Sequence, residues 1–252
     1  MRKRLLLQIL TFLSFFWRLI PSIVRDKVFF FFFILESRGI TPENALRRVF
    51  RIEDHLNLVT NERALAAGNG EHPKHELTSY HNFFIENLCN EANILDVGCG
   101  YGAVARSVAS AHPKSRVIAI DNDRPRLNQA LKSQNPSNLE FKLVDLDDYR
   151  PDSTIDAVIL SNVLEHLHDR VETLIRIKEL TKAPKFLIRV PLFERHWTIA
   201  MREKLGVNYF QDSDHKIEHR LQEFEREMEL AGLKITSKST LWGEIWAVCE
   251  VS

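Results

Sequence analysis

Residues 93–105 read NILDVGCGYGAVA. An apolar run from Asn93 to Val97 carries one acid, Asp96, and glycines follow at positions 98, 100 and 102. A residue without a Cβ lets the chain turn sharply and lets a ligand come close to the backbone, so this strand end reads as a binding turn. The next ten residues, AVARSVASAH (103–112), have the spacing of an amphipathic helix.

The same alternation continues on both sides. Apolar segments RVIAID (116–121), LEFKLVDL (139–146), DAVILS (156–161) and KFLIRV (185–190) read as strands. Between or before them, HNFFIENLCN (81–90), RPRLNQALKS (124–133) and DRVETLIRIKEL (169–180) read as helices. A last helix, LQEFEREMELAG (221–232), precedes KITSKSTL (234–241) and EIWAVCEV (244–251), which only Trp242-Gly243 separates. Two residues close an antiparallel hairpin and nothing else. The fold class is therefore α/β: a doubly wound, seven-stranded, mostly parallel Rossmann-like sheet with a C-terminal antiparallel hairpin.

In such sheets ligands lie beyond the carboxyl ends of the strands, where the strand order switches. Asp96 stands there, at the first turn; it repels a phosphate and attracts an ammonium group. Asp121 ends the second strand, about 20 residues after the glycines, where a carboxylate binds ribose hydroxyls. Asp145 closes the third and can accept from an adenine amino group. S-adenosylmethionine has all three parts. Gly98-x-Gly100-x-x-Ala103 also fits a dinucleotide fingerprint, but Asp96, the third acid and the closing hairpin favour the methyl donor.

Four segments, DVGCGYG (96–102), AIDND (119–123), LVDLDD (143–148) and SNVLEHLHD (161–169), resemble in order the motifs of class I S-adenosylmethionine-dependent methyltransferases. The resembling subgroup includes enzymes that methylate quinones, sugars and other small molecules, and the likeness spans Tyr80 to Val251. It implies that Asp96, Gly98, Gly100 and Gly102 form the loop at the methionine end. Asp121 would hold the ribose, with Asn122 alongside the adenine and Asp145 and Leu146 bordering it. Asn162 would face the sulfonium.

Methyl transfer requires alignment of a nucleophile and, for a hydroxyl acceptor, removal of its proton. Glu165, His166 and His168 follow the fourth strand, at the rim where an acceptor arrives. His166 is the first choice for a base, because its ordinary pKa lies near working pH; the bland alternative is that Glu165 and His166 only orient the loop. Tyr80 and His81 open the helix before the first strand, facing either the ligands or the core, with Phe83 and Phe84 as core. Arg189, inside a buried strand, needs an acidic partner or an anionic acceptor. In QDSDHKIEHR (211–220), Asp214 is a cap for a following helix, on which His215, Glu218 and His219 would share a face. Their order matches no zinc signature, so the segment reads as an acceptor-side wall and no metal is assigned.

The chain has 252 residues, and its three cysteines, Cys89, Cys99 and Cys249, fit neither a disulfide framework nor a zinc spacing. A reducing, cytoplasmic compartment follows. Net charge is zero, yet residues 1–52 hold ten Lys/Arg against three acids, a net +7, which leaves −7 on the remainder. Residues 1–35 contain two short apolar runs, broken by Gln8, Arg18 and Pro21, with no small-residue cleavage site. A spanning helix needs about 20 apolar residues, so residues 1–40 read as helices on a membrane surface, on the inner face. The alternatives are an arm that packs on its own domain, a homodimer arm, and a true anchor or signal. Further on, Thr41 caps a helix with Pro42 at its first position, and Ala-Gly-Asn-Gly (67–70) marks a loop.

The expected organisation is a helical basic-apolar arm over residues 1–78 and a methyltransferase domain over 79–252. The expected activity is methylation, at oxygen, of a small or lipid-linked acceptor such as a glycan intermediate or quinone precursor. No nucleic-acid partner is expected, since no basic patch interleaved with aromatics appears in the body. A non-catalytic cofactor-binding scaffold and a protein or nucleic-acid methyltransferase are the rival readings.

Overall fold

The computed structural model describes residues 2–68 and 72–252, with side chains from residue 8 onward. Residues 69 and 70 of the loop read at 67–70 lie outside the described residues. By contacts the chain forms two units, Met1–Arg63 with Arg202–Asn208, and Ala64–Met201 with Tyr209–Ser252.

In the first unit, helix α1 (Arg2–Leu19) ends before Pro21, and α2 (Ser22–Glu36) begins after it, because proline lacks the amide that a continuing helix needs. The Trp17 and Phe29 rings meet edge to face at 5.7 Å. Most apolar side chains of both helices face outward, Phe12, Phe15 and Phe30 among them. Among the described residues no helix is long and apolar enough to cross a membrane. Helix α3 (Pro42–Ala67) starts at the expected cap, where Thr41 Oγ1 accepts from the Asn44 amide at 3.4 Å. Phe50 is buried under Arg202, whose guanidinium lies 4.4 Å from the ring centre and pairs with Glu53 and Asp54 at 2.8 Å.

The second unit is built on a seven-stranded sheet. Helices α4 (Lys74–Thr78) and α5 (Tyr80–Glu86) lead to strand β1 (Asn93–Val97), α6 (Ala103–Ala111), β2 (Arg116–Asp121), α7 (Arg124–Ala130) and β3 (Leu139–Leu143). Then come β4 (Ala157–Ser161), α8 (Arg170–Thr181), β5 (Lys185–Pro191), α9 (Trp197–Lys204), α10 (Leu221–Leu230), β6 (Leu233–Leu241) and β7 (Glu244–Val251). The strand order is β3-β2-β1-β4-β5-β7-β6. Five strands run parallel, and β7 pairs antiparallel with both β5 and β6. Trp242 and Gly243, both at positive φ (55° and 76°), make the two-residue turn, the geometry that matches strand twist.

The central strands are apolar on both faces because helices cover both. Leu95, Ile118 and Leu160 pack on one side with Leu174 and Phe224, and Ile94 and Ile159 on the other with Phe84 and Val108. Each such fully buried side chain contributes about 1.5–3 kcal/mol relative to exposure. The order reverses between β1 and β4, which places the switch point at the carboxyl ends of these two strands.

One polar group crosses this core. Arg189 of β5 is buried, and Glu244 of β7 takes its Nε at 2.6 Å and its Nη2 at 2.5 Å, a fork-to-fork pair. The Tyr80 ring lies 3.7 Å from the guanidinium carbon, and Trp246 Nε1 donates to Glu244 at 3.0 Å. Of the two partners open to Arg189 from sequence, the acid is the one it has. Removing one member of a buried pair leaves a charge without compensation, so Glu244→Ala should cost about 3–5 kcal/mol in denaturant unfolding. Glu244→Gln, which keeps one acceptor, should cost less.

Candidate active site

The glycine turn after β1 is fixed by β2. Asp121 Oδ2 accepts from the Gly100 amide at 2.7 Å and its Oδ1 from the Asp123 amide at 2.7 Å, while Cys99 N donates to Ile120 O. Asp123 in turn caps α7 through the Arg126 amide. Gly98 and Gly102 need to be glycine for different reasons. At Gly98 (φ +67°) an added Cβ would lie 2.9 Å from Val163, against the segment that follows β4. At Gly102 (φ +73°) it would lie 2.5 Å from the Phe141 ring, where α6 starts over the sheet.

Asp96 sits under this turn, 2% exposed. The Ala105 amide donates to it, but Oδ2 has no hydrogen-bond partner among the described residues. Burial and then the neighbouring Asp121 charge push its pKa up to about 8. Asn162, just past β4, holds a left-handed backbone (φ 56°), and its Oδ1 is also buried without a partner. A non-glycine residue in that region is strained, and such strain collects at ligand sites.

A cavity of about 660 Å³ opens at the switch point, within the ordinary range for small-ligand sites. Gly98, Asp121, Asn122, Asp145, Leu146 and Asn162 line it, with His166 and Asp214 further along. Asn122 Nδ2 donates to Asp145 Oδ2 at 3.0 Å, and that bond, with the Asp147 amide, holds the Asp145 carboxyl below its usual range. A second cavity of about 470 Å³ lies among Asn87–Ala92, Asp156 and Lys185, at the amino ends of the parallel strands. The carboxyl-end cavity is the one that fits the rule for open α/β sheets.

Beyond Asn162 the chain makes a short 3-10 turn, Leu164–His166. Glu165 is wholly buried, neither of its carboxylate oxygens has a hydrogen-bond partner among the described residues, and burial pushes its pKa up to about 8. His166 is half-buried, with Nδ1 3.3 Å from Asp214 Oδ2; burial lowers its pKa and Asp214 opposes that. The expected helix over His215, Glu218 and His219 does not form. Lys216 N and Ile217 N instead donate to the Glu165 carbonyl, at 2.7 and 3.4 Å, and α10 starts only at Leu221. Asp214 therefore caps no helix. His215 and Glu218 stay together at 2.9 Å, and His215 meets the His166 ring with centres 4.8 Å apart, while His219 turns away to pair with Glu227.

Tyr80 and His81 belong to a separate polar cluster. Tyr80 Oη and His75 Nδ1 are 2.7 Å apart, and burial pushes the phenol up to about 12. His81 Nδ1 meets Ser107 Oγ at 2.7 Å, and burial and then His75 depress the imidazole to about 4. Both side chains are therefore neutral near pH 7. Neither lines the 660 Å³ cavity, while Phe84 is core and Phe83 packs partly buried against it. Glu244 and Ser107 were not singled out in the sequence; nothing in local spacing marks partners 55 and 26 residues away, the separations of the Arg189–Glu244 and His81–Ser107 contacts.

This order of strands, with a glycine turn and acids at three successive strand ends, is the architecture of class I S-adenosylmethionine-dependent methyltransferases. Residues 94–183 match the family described as "Methyltransferase domain", and this part of the chain belongs to it. Over 104 residues the chain is 31% identical to (S)-coclaurine N-methyltransferase of Thalictrum flavum subsp. glaucum, covering 38% of this chain and 29% of that protein. Over 76 residues it is 30% identical to malonyl-[acyl-carrier protein] O-methyltransferase of Bacillus anthracis, covering 30% and 28%. The chain thus spans about three-tenths of the length of these relatives. A solved S-adenosylmethionine-dependent methyltransferase from Aquifex aeolicus superposes with a TM-score of 0.58 at 18% identity, covering 72% of this chain and 94% of that one. The cofactor of the domain is S-adenosylmethionine, and the residues present fit it: a cation-seeking Asp96 oxygen without a partner, and exposed backbone at Gly98.

Because Gly102 has neither the space nor the φ for a side chain, Gly102→Ala should lower stability by about 1–3 kcal/mol. It should also weaken cofactor binding, both read from thermal melts with and without S-adenosylmethionine.

Proposed function

We propose that this protein transfers the S-adenosylmethionine methyl group to an oxygen of a small or lipid-linked acceptor, a glycan intermediate or quinone precursor, at the cytoplasmic face of a membrane. The observation that carries the transfer reaction is the pair of unpartnered buried oxygens, Asp96 Oδ2 and Asn162 Oδ1, at the carboxyl ends of β1 and β4. Asp96 would take the ammonium of the cofactor, Asp121 its ribose, and Asn122, Asp145 and Leu146 its adenine. Gly98, Gly100 and Gly102 give it a bare backbone, and Asn162 faces the sulfur. Bound there, the cofactor supplies a methyl carbon on positive sulfur. The protein's remaining work is to align the acceptor, exclude water and deal with its proton; His166, which lines the cavity, would assist there, with the buried Glu165 behind it.

The lipid-side part rests on the arm. Residues 8–36 expose phenylalanines on all sides of α2, from Phe29 through Phe33, and the arm's net charge is positive. A helix apolar all round, with basic flanks, fits a lipid interface better than water. The same face would also serve a homodimer, which vesicle binding separates. The N-methyltransferase relative favours nitrogen as a second reading, although its match covers only 104 residues.

Methyl-labelled S-adenosylmethionine incubated with separated lipid and soluble fractions tests the reading. Label in an alkali-stable ether of the lipid fraction is the expected result; label in protein or nucleic acid would refute it. Phe12→Glu with Phe30→Glu should abolish sedimentation with anionic vesicles and leave cofactor affinity within about threefold, since each charge opposes burial in the headgroup layer. His166→Ala should lower transfer by about 10²–10⁴-fold.

The pH dependence follows from Asp96. Its free carboxyl is protonated below about 8, whereas binding an ammonium requires the carboxylate. Cofactor affinity should therefore rise with pH from 6 to 8, by up to about tenfold per unit, with release of a proton. Calorimetry in buffers of different ionisation enthalpy reads that proton, and Asp96→Asn should flatten the slope.

A further inference from the structure

The ends of two loops far apart in sequence bring together three groups with free lone pairs. One ligand atom from each of Glu165, His166 and His215 lies within 4.8 Å of the others. Glu165 is 0% exposed, and both its oxygens lack hydrogen-bond partners among the described residues. His215 is 5% exposed, and its Nε2 also lacks one. Asp212 Oδ2 comes no nearer to that nitrogen than 3.6 Å.

The surroundings set the imidazoles for a ligand rather than for one another. His215 Nδ1 lies 2.9 Å from Glu218 Oε1. Glu218 itself accepts from the Gln211 amide at 2.6 Å and from Arg195 at 2.5 Å. The tautomer this assigns puts the proton on Nδ1 and leaves the Nε2 lone pair free. On His166, Asp214 Oδ2 stands 3.3 Å from Nδ1. A carboxylate beside one nitrogen of each imidazole, with the other left over, is how metal-binding histidines are held. The donation of Lys216 N and Ile217 N to the Glu165 carbonyl fixes the two loops together. The sequence spacing gave no sign of this set, because His215 is 50 residues beyond Glu165 and lies on a loop, not a helix.

We propose that Glu165, His166 and His215 bind one divalent transition-metal ion at the acceptor end of the cavity. Two imidazoles and one carboxylate suit zinc, manganese, cobalt or iron(II) better than magnesium, which prefers oxygen and water. Three protein ligands leave coordination positions open. Because His166 and Asp214 line the same cavity as Asn162, those positions face the acceptor. The fitting acceptor class presents two neighbouring oxygens, as in a vicinal diol or a hydroxyl beside a carbonyl. An ion lowers the pKa of such a hydroxyl. The hydroxyl proton passes to solvent, its oxygen forms the new C–O bond as the C–S bond breaks, and the neutral thioether leaves. In this arrangement His166 acts through the ion and does not itself take the proton. The acceptor part rests on the methyltransferase reading; the metal site does not.

The test uses the full chain, freed of metal with a chelator and titrated with Co²⁺ or Zn²⁺ alone. One ion per chain is expected, with visible cobalt absorption bands of an imidazole-carboxylate site. His215→Gln and Glu165→Gln, each checked for an unchanged circular dichroism spectrum, should weaken binding by at least about 30-fold. No ion bound at millimolar metal, or one bound equally well by wild type and both folded variants, overturns the site. Methyl transfer should fall about 100-fold in the metal-free protein and return with Mn²⁺, Co²⁺ or Zn²⁺, while cofactor affinity stays within about threefold. Transfer at full rate without metal overturns the acceptor part. Ion binding lost in both variants, with no transfer to any acceptor fraction, upholds the metal site and refutes the methyltransferase reading.

Discussion

Two carboxylates buried side by side at the carboxyl ends of β1 and β2 set the terms for the rest of the site. Asp96 and Asp121 lie on neighbouring parallel strands, and the Asp121 charge adds to burial in raising the cost of ionising Asp96. Asp121 resolves its share within the protein, by accepting two backbone amides. That settlement creates the glycine turn, since the Gly100 amide can reach the carboxylate only if the chain coils back at positive φ. Asp96 has no such settlement. A single Ala105 amide leaves one oxygen bare, and a buried acid in that position either keeps its proton or finds a cation. The stability of the turn and its appetite for a cationic ligand are thus two outcomes of one electrostatic problem.

The far side of the cleft solves a similar problem differently. Arg189 enters the sheet interior as a charge and leaves it neutralised, through the bidentate bond to Glu244 on the antiparallel strand. Its face is covered by the Tyr80 ring. The hairpin is therefore not an appendage of the parallel sheet: β7 supplies the counter-charge that lets β5 carry arginine at all. The same pairing occupies Arg189 Nε and Nη2 with Glu244, and Nη1 donates to Ser161 Oγ at 3.1 Å.

What could be seen in the sequence was whatever obeys a local period or a strand-end position. All seven strands and the five helices read from the sequence in the methyltransferase region appear where their apolar spacing puts them, since each such element must bury a stripe or a face regardless of its partners. Asp96, Gly98, Asp121 and Asp145 were legible because strand ends are countable. The 211–220 segment was not legible. Its periodicity suits a helix, but its Lys216 and Ile217 amides are taken by the carbonyl of Glu165, far back in the sequence, so the first turn never closes. Helix α9 (Trp197–Lys204) went unread for a related reason: it has no strong apolar stripe, and its buried residue is an arginine, Arg202. Long-range hydrogen bonds and ion pairs leave no periodic trace.

These two kinds of information also divide the function. The residues proposed for S-adenosylmethionine lie at strand ends, within the stretch that matches the methyltransferase family. The parts an acceptor demands lie on loops that a fold does not fix. Here those loops carry a buried acid and two imidazoles, beside a cavity lined by acids. A bulky apolar acceptor alone would leave Glu165 either protonated or unpaired in the dark of the site. An acceptor that arrives with, or onto, a positive centre relieves it. On the proposed reading, the charge balance around Glu165 would select among acceptors, and the exposed arm would select only where they are met.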